Sequence, residues 1–252
     1  MINQPPILSK ADVARYRNLK QSKFREQERL FLLEGVRLCE EAFNSNLDIT
    51  CCITVKGFDK VAIPAGLSQL EANQTQLEQI SDSRNPQGII CIANIPKPSA
   101  FPSPGAKAIV LVADRISDPG NLGTIFRTAL WFGVTDILLG PGCVDPYNPK
   151  VVRSSMGAIV AINLHFSDDL ISSVTDWQKA GGNIVALHMS GEPLNAFKPK
   201  KGLILIIGSE AHGVDPELLE LSRCLSIEKP GQGESLNAAM ATGIALYELN
   251  RK

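Results

Sequence analysis

Leu203-Ile204-Leu205-Ile206-Ile207-Gly208-Ser209-Glu210-Ala211-His212-Gly213 reads as a strand without a polar face, followed at once by a polar glycine loop. An apolar run of this length without alternation belongs in a sheet covered on both faces, the usual setting of parallel strands. Further strand candidates are residues 109–113, 136–139, 158–164, 184–187 and 224–227. Helical patterns lie between them. Leu122, Ile125, Phe126, Ala129 and Leu130 make one apolar stripe, and Leu170, Ile171, Val174 and Trp177 another. Asp215-Pro216 has the form of an N-cap followed by proline at the first helical position. The alternation predicts an α/β fold with a mostly parallel sheet and helices on both faces.

Working back toward the N-terminus, residues 95–105 carry four prolines, an extended semi-rigid composition. Three segments follow: 1–95, a linker at 96–106, and 107–252. In the first, Ser9-Lys10-Ala11-Asp12 has capping-box spacing and places a helix start near Lys10. Phe31-Leu32-Leu33-Glu34-Gly35 reads as strand and turn, and Val36, Cys39 and Phe43 have helical spacing. Residues 49–55 and 88–93 read as strands, with one or two short helices expected within 67–80. This is a small α/β unit of its own.

Composition narrows the chemistry. The chain has 252 residues, 44% of them hydrophobic, enough for a packed core, and its longest apolar runs are far too short for a membrane span. No basic-then-apolar leader opens it, so a soluble cytoplasmic protein is expected. Cys39, Cys51, Cys52, Cys91, Cys143 and Cys224 form no CxxC pair, and His165, His188 and His212 are scattered. Neither a metal site nor a disulfide framework is expected, only buried free thiols. The net charge of −1 gives no overall signal for nucleic acid. Residues 10–29 nevertheless hold Lys10, Arg15, Arg17, Lys20, Lys23, Arg25 and Arg29 against Asp12, Glu26 and Glu28. That run could touch phosphates or could be a solvated helix face.

Three polar clusters stand at the C-terminal ends of expected strands, the edge where open α/β sheets bind ligands. The first is Asp114-Arg115-Ile116-Ser117-Asp118-Pro119-Gly120-Asn121-Leu122-Gly123, with Arg127 on the helix beyond. The second is Gly208–Gly213, quoted above. The third is Gly231-Gln232-Gly233-Glu234-Ser235-Leu236-Asn237, before an apolar helical run. Each has a plain structural reading: Asn121 as a cap, Arg127 and Glu210 as solvated side chains, Ser235 as the N-cap of the last helix. Phosphate-binding GxxxxGK[ST], dinucleotide GxGxxG and GxSxG signatures are all missing.

Together the three clusters resemble the three motifs of the SpoU (TrmH) family of RNA ribose methyltransferases, in the SPOUT superfamily. They fall in the family's order. Asn148–Gly157 is also similar to family members, and the basic N-terminal segment with Leu33-Glu34-Gly35 resembles the family's RNA-binding accessory domain, of ribosomal-protein-like α/β fold. The resemblance implies methyl transfer from S-adenosylmethionine to a ribose 2′-hydroxyl of structured RNA, ribosomal RNA ahead of transfer RNA. It also implies a deep C-terminal trefoil knot, a homodimer and no metal. By the same carry-over, Asn121, Arg127, Glu210, Ser235 and Asn237 are the catalytic candidates. Leu187, Gly208, Ile227 and Leu236 are the cofactor-binding candidates, and Arg15, Arg17, Lys20 and Lys23 those for RNA. One departure is visible: Glu228-Lys229 stands where the family commonly has Pro-Met after the isoleucine. Two other readings compete: an RNA-binding module that keeps the fold without turnover, and a nicotinamide oxidoreductase, which the missing glycine fingerprint argues against.

Overall fold

The computed structural model describes residues 5–105, 109–198 and 202–251, so the boundary expected at 106–107 lies outside the described residues. The chain forms two compact units. One is Met1–Lys97 with Asp145–Val160; the other is Pro98–Val144 with Ala161–Lys252. Residues 145–160, assigned to the C-terminal segment by sequence order, therefore cluster with the N-terminal unit.

In the first unit, α1 (Lys10–Asn18) starts at the expected capping box: Ser9 accepts from the Asp12 N–H, and the Asp12 side chain reaches back to the cap. Helix α2 (Ser22–Glu28) follows and is ended by Arg29 in the left-handed region at φ 56°. Strand β1 (Leu30–Glu34), α3 (Val36–Phe43), β2 (Ile49–Val55), β3 (Gln69–Ala72), α4 (Gln74–Ile80) and β4 (Ile89–Asn94) complete it. The sheet order is β1-β4-β2-β3, antiparallel except for the β2–β3 pair. Strand β3 corrects the expectation of helix alone across 67–80. Asn73 and Gln76 form a capping box that delays the helix to Gln74, which leaves Gln69–Ala72 free to pair with β2. Leu19, Leu32, Ile53, Leu77, Ile80, Ile90 and Ile92 fill the core beneath.

Helix α6 (Pro149–Ser154) belongs to this unit and packs against β1. Arg25, only 2% exposed, is held there. Its Nε donates to Asp145 Oδ2 at 2.7 Å, its Nη2 contacts the same oxygen, and its Nη1 donates to the Leu19 carbonyl at 2.7 Å.

The second unit holds β5 (Ile109–Asp114), α5 (Pro119–Trp131), β6 (Asp136–Leu139), β7 (Asn163–Phe166), α7 (Leu170–Lys179), β8 (Asn183–Pro193), β9 (Leu203–Gly208), α8 (Pro216–Glu220), β10 (Arg223–Ser226) and α9 (Ala238–Asn250). Its sheet runs β10-β8-β9-β5-β6-β7, with every pair parallel. The apolar two-faced runs are buried as expected: Leu203–Ile207 and Val110–Ala113 lie in the interior. The strand expected at 158–164 begins only at Asn163. Ala158–Val160 is a 3-10 turn, and Gly157 before it takes φ 99°, a value that bends the chain away from extended geometry.

Chain direction reverses beside β5. From β5 the chain runs outward through β6 and β7, then returns to β8 and β9 on the other flank. The C-terminal ends of β5 and β9 are therefore neighbours, with Asp114 opposite Gly208. This is the switch point where an open parallel sheet leaves a crevice. No helix of the described residues is long and apolar enough to cross a membrane.

Candidate active site

Asp114 ends an otherwise apolar strand and is buried. Its Oδ2 accepts the Asp215 N–H at 2.8 Å and Nη2 of Arg115 at 3.0 Å, while Arg115 Nη1 lies 3.3 Å from Asp215. One buried carboxylate thus ties the loop after β5 to the loop after β9. Cys143 lies close by, its Sγ donating to the Ala113 carbonyl at 3.2 Å; burial pushes that thiol up, so it stays neutral.

The loop after β9 folds back on itself. The Gly213 N–H donates to the Ser209 carbonyl at 2.8 Å, and the His212 N–H to Ser209 Oγ at 3.2 Å. A Cβ on Gly208 would lie 2.1 Å from the Gly213 carbonyl carbon and 2.2 Å from the Val214 nitrogen. Only glycine fits at the end of β9.

Three motif side chains meet across this edge. Asp118 caps α5 by accepting the Asn121 N–H at 2.8 Å. The Asn121 Nδ2 donates to Glu210 Oε1, and Asn237 Nδ2 donates to Asn121 Oδ1 at 2.8 Å. Asn237 is also the N-cap of α9, its Oδ1 accepting the N–H groups of Ala239 at 3.0 Å and Met240 at 3.3 Å. The cap is therefore Asn237 rather than Ser235, because Asn237 directly precedes the first helical residue and is one side chain away from both free donors.

Beside this chain of bonds opens a cleft of about 650 Å³. The four cofactor candidates, Leu187, Gly208, Ile227 and Leu236, all line it, as do Glu210 and Ser235. His188, Met189, His212, Glu228, Lys229 and Glu234 line it too; sequence reasoning gave none of them a role. The Glu228 carboxylate accepts from Asn195 Nδ2 at 3.2 Å. Asp114 and Asp215 are site-building groups as well. The available signal was a charged residue closing each apolar strand or opening the next helix.

Arg127 is placed differently. It is exposed on α5 and does not line the cleft, and among the described residues no hydrogen bond or ion pair holds it. Six residues after Asn121, it lies roughly 120° around the helix and about 9 Å along its axis. Trp131 and, on α9, Met240 and Tyr247 are exposed at 84%, 61% and 57%.

The basic candidates in the first unit divide. Arg17 and Lys23 are exposed without a partner among the described residues. Arg15 is paired to Glu28 at 2.6 Å. Lys20 Nζ donates to the carbonyls of Gln79, at 3.0 Å, and Ser81, at the C-terminal end of α4, where a cation is favoured. Arg25, in the same run, is buried against Asp145.

The residues present fit S-adenosylmethionine. The cleft has the size of a small-molecule site and an apolar lining of Leu187, Ile207, Ile227 and Leu236. Gly231 and Gly233 leave open space where a Cβ would stand, so a ligand can approach the backbone. Glu210, Glu228 and Glu234 offer negative charge toward a sulfonium and an ammonium, and Lys229 offers a counter-charge to a carboxylate. Among the described residues no cluster of histidine, cysteine or carboxylate side chains could hold a metal ion.

A parallel sheet with two glycine-bearing motif loops on one cofactor-sized cleft, and the third motif bonded to them through Asn121, has the build of an α/β ligand-binding catalytic unit. Comparison with known proteins gives the family. The SpoU rRNA methylase family model matches residues 108–247, and the MRM3-like substrate binding domain matches residues 10–91. This chain belongs to the SpoU rRNA methylase family. An uncharacterized tRNA/rRNA methyltransferase of Synechocystis is 32% identical over 95% of this chain and 90% of its own length. The Bacillus subtilis 23S rRNA (guanosine(2553)-2′-O)-methyltransferase RlmP is 32% identical over 93% of this chain and 94% of its own. Among solved structures, the S-adenosylmethionine-bound rRNA methyltransferase of Sinorhizobium meliloti superposes with a TM-score of 0.84 at 31% identity, covering 97% of this chain and 95% of that one.

Proposed function

We propose that this chain is a cytoplasmic enzyme that methylates a ribose 2′-hydroxyl of structured RNA, ribosomal RNA ahead of transfer RNA. The observation that carries the reading is the bonding of all three motifs through Glu210, Asn121 and Asn237, beside a cleft lined by the second and third motif loops. The RlmP relative supports the ribosomal target and the 2′-oxygen. S-adenosylmethionine supplies a methyl group on a positively charged sulfur. Bound there, it would give that methyl to the 2′-oxygen and leave as the neutral thioether S-adenosylhomocysteine, with the hydroxyl proton passing to the RNA phosphate or to solvent.

The residues of this chain do the holding. Leu187, Gly208, Ile227 and Leu236 bind the cofactor along the cleft, with backbone groups at the glycine positions. Ser235 and Glu210 flank the reacting oxygen, and Asn121 fixes Glu210. Arg127 orients the 2′-hydroxyl together with an RNA phosphate. A guanidinium, with a pKa above about 12, is too weak a base to act alone. Positioning of this kind accounts for much of the acceleration in a reaction between two bound groups.

Arg127 reaches the chemistry in a homodimer. Its face of α5, with Trp131 and the neighbouring Met240 and Tyr247 of α9, is the apolar exposed surface on which a second copy packs. The C-terminal segment that carries α9 to Asn121 is threaded as a trefoil knot, a reading that rests on the resemblance of the three motifs. Residues 1–95 act as the RNA-binding accessory domain, 96–106 as the linker and 107–252 as the methyltransferase domain. Arg17 and Lys23 meet RNA phosphates directly, and Arg15 and Lys20 shape the helices that present them.

The test is transfer of a tritiated methyl group to ribosomal RNA lacking modifications, with Arg127→Ala as control. Incorporation mapped to a 2′-oxygen and lost in the variant is expected. Cofactor binding without incorporation into any RNA would favour a non-catalytic RNA-binding module.

A further inference from the structure

The amide of an asparagine has a direction, because one end donates and the other only accepts. In most surface networks that direction is assigned by choice. Here it is forced. The N–H groups of Ala239 and Met240, at the start of α9, can only donate, and both point at Asn237 Oδ1. The Nδ2 end of Asn237 must then face Asn121, which accepts through Oδ1. That leaves the Nδ2 of Asn121 facing Glu210 Oε1, where only an acceptor satisfies it.

We infer that Asn237 and Asn121 are positioning residues that carry the donor polarity of the α9 N-terminus to Glu210 and hold its carboxylate, as an acceptor, at the edge of the cleft. The inference rests on the proposed reaction for its purpose but not for its geometry. It assigns Asn237 no contact with the methyl group or the ribose. It also removes Glu210 Oε1 from service as a proton donor and leaves Oε2 for substrate. The two ends of the relay are held by different elements, the α9 backbone and the loop after β9. Neither can turn without breaking a cap or a motif loop.

The test reverses the polarity. Asn237→Asp keeps the cap, since aspartate caps as well as asparagine. Its second oxygen can no longer donate, so Asn121 must turn its Nδ2 toward residue 237 and its Oδ1 toward Glu210, acceptor against acceptor. The loss of a charge-assisted bond predicts methyl transfer reduced about ten- to a hundredfold. Adding Glu210→Gln to Asn237→Asp restores a donor at position 210 and rejoins the chain in the reverse sense.

The decisive readout is the side-chain amide signal of Asn121 in nitrogen–proton spectra of the full-length protein. It should move in Asn237→Asp, where the amide turns from the Glu210 carboxylate to that of residue 237, and hold the new position in the double variant, where the glutamine amide introduced at position 210 then donates to Asn121 Oδ1 and exchanges slowly. Asn237→Ser, which caps but is too short to reach Asn121, leaves the bond to Glu210 in place and should keep close to the parent signal, which guards against misfolding as the cause. An Asn121 signal unmoved by Asn237→Asp, or an introduced glutamine amide that exchanges as fast in the double variant as in Glu210→Gln alone, overturns the relay. Because the signal needs no RNA, a failure of the proposed methylation is distinguished from a failure of the relay.

Discussion

Gly208→Ala is the substitution that most directly tests how the loop after β9 is built. The new Cβ would stand 2.1, 2.2 and 2.3 Å from the Gly213 carbonyl carbon, the Val214 nitrogen and the Gly213 oxygen, where ordinary contact is 3.4–4 Å. All three are backbone atoms, so no rotamer change relieves the overlap. The strand end and the segment at 213–214 must part by more than about 1 Å, on the scale where overpacked sites lose about 1–3 kcal/mol. The displaced segment carries the Gly213–Ser209 bond at 2.8 Å and leads into the Asp215–Asp114 bond at 2.8 Å. Weakening one of these adds about 1 kcal/mol. A total of about 2–4 kcal/mol would lower the melting temperature by roughly 4–16 °C in a chain of this size. Because Gly208 through Val214 line the cleft, S-adenosylmethionine affinity should fall at least about tenfold, or about 1.4 kcal/mol. Calorimetric titration and a melt on the same preparations measure both. Gly231→Ala is the control: no atom lies within 4 Å of its Cβ, and its melting temperature should match the parent. A Gly208→Ala protein that melts with the parent and binds the cofactor equally well would refute the steric reasoning.

Three further outcomes follow from the first unit. Asp145→Ala leaves the buried Arg25 guanidinium without its carboxylate and should cost about 3 kcal/mol in urea unfolding, near the lower end for a broken buried pair because Asp145 is itself 27% exposed. Burial raises the Tyr147 phenol from 10.0 to about 12, so the folded state keeps a proton that the unfolded state releases above about pH 10. That stabilisation is complete below pH 10 and is lost as pH rises through 12; it is on the order of 3 kcal/mol, and Tyr147→Phe should flatten the alkaline arm of a stability–pH curve. For RNA, the Arg17→Ala/Lys23→Ala pair should reduce the slope of log affinity against log salt by about 1.4–1.8, whereas Arg15→Ala should change it less, its charge being already partnered by Glu28. A drop of about 0.7–0.9 for Arg15→Ala, the share of one full phosphate contact, would show that the ion pair opens on the RNA.

What the sequence made legible was what local chemistry decides. Ser9 with Asp12 started α1, Asp215 before Pro216 started α8, and the two-faced apolar runs became interior parallel strands, whereas the cap of α5 is Asp118 rather than Asn121. What it hid depends on partners far along the chain. Arg25 looks like its basic neighbours until Asp145, 120 residues on, removes it from solvent. Gln69–Ala72 has no strong strand composition; it pairs because β2 presents an open edge and Asn73 holds the helix back. The cap of α9 was ambiguous for a related reason. Ser235 and Asn237 are both good caps, and only the helix's first turn, set by packing of Ala238 and Ala239, chooses between them. The site's residue types were readable from motif spacing, but their bonding order was not. Nothing in the spacing says that Asn237 reaches Glu210 only through Asn121.

Helix α5 shows why motif residues close in sequence need not share one site. Asn121, in its first turn, points to Glu210, while Arg127 comes out on another face beside Trp131. The separation follows from the helical repeat: six residues return neither to the same side nor to the same height. Moving Arg127 onto the Asn121 face would require a shift to position 124 or 125. Ile125 is already core, and the Thr124 hydroxyl donates back to the Gly120 carbonyl at 2.7 Å. The stripe of Leu122, Ile125, Phe126 and Ala129 that anchors α5 to the sheet therefore fixes Arg127 outward. A reaction that uses Asn121, Glu210 and Arg127 on one ribose must close that gap with something outside this single chain, either the RNA's own phosphates or the surface of a second copy. The two are separable. If RNA alone brings Arg127 into use, Trp131→Glu should leave turnover intact while changing nothing in oligomeric state. If a second copy does, the same substitution, by placing charge on the apolar face, should shift sedimentation to the monomer and abolish methyl transfer together, with cofactor binding at the cleft falling less.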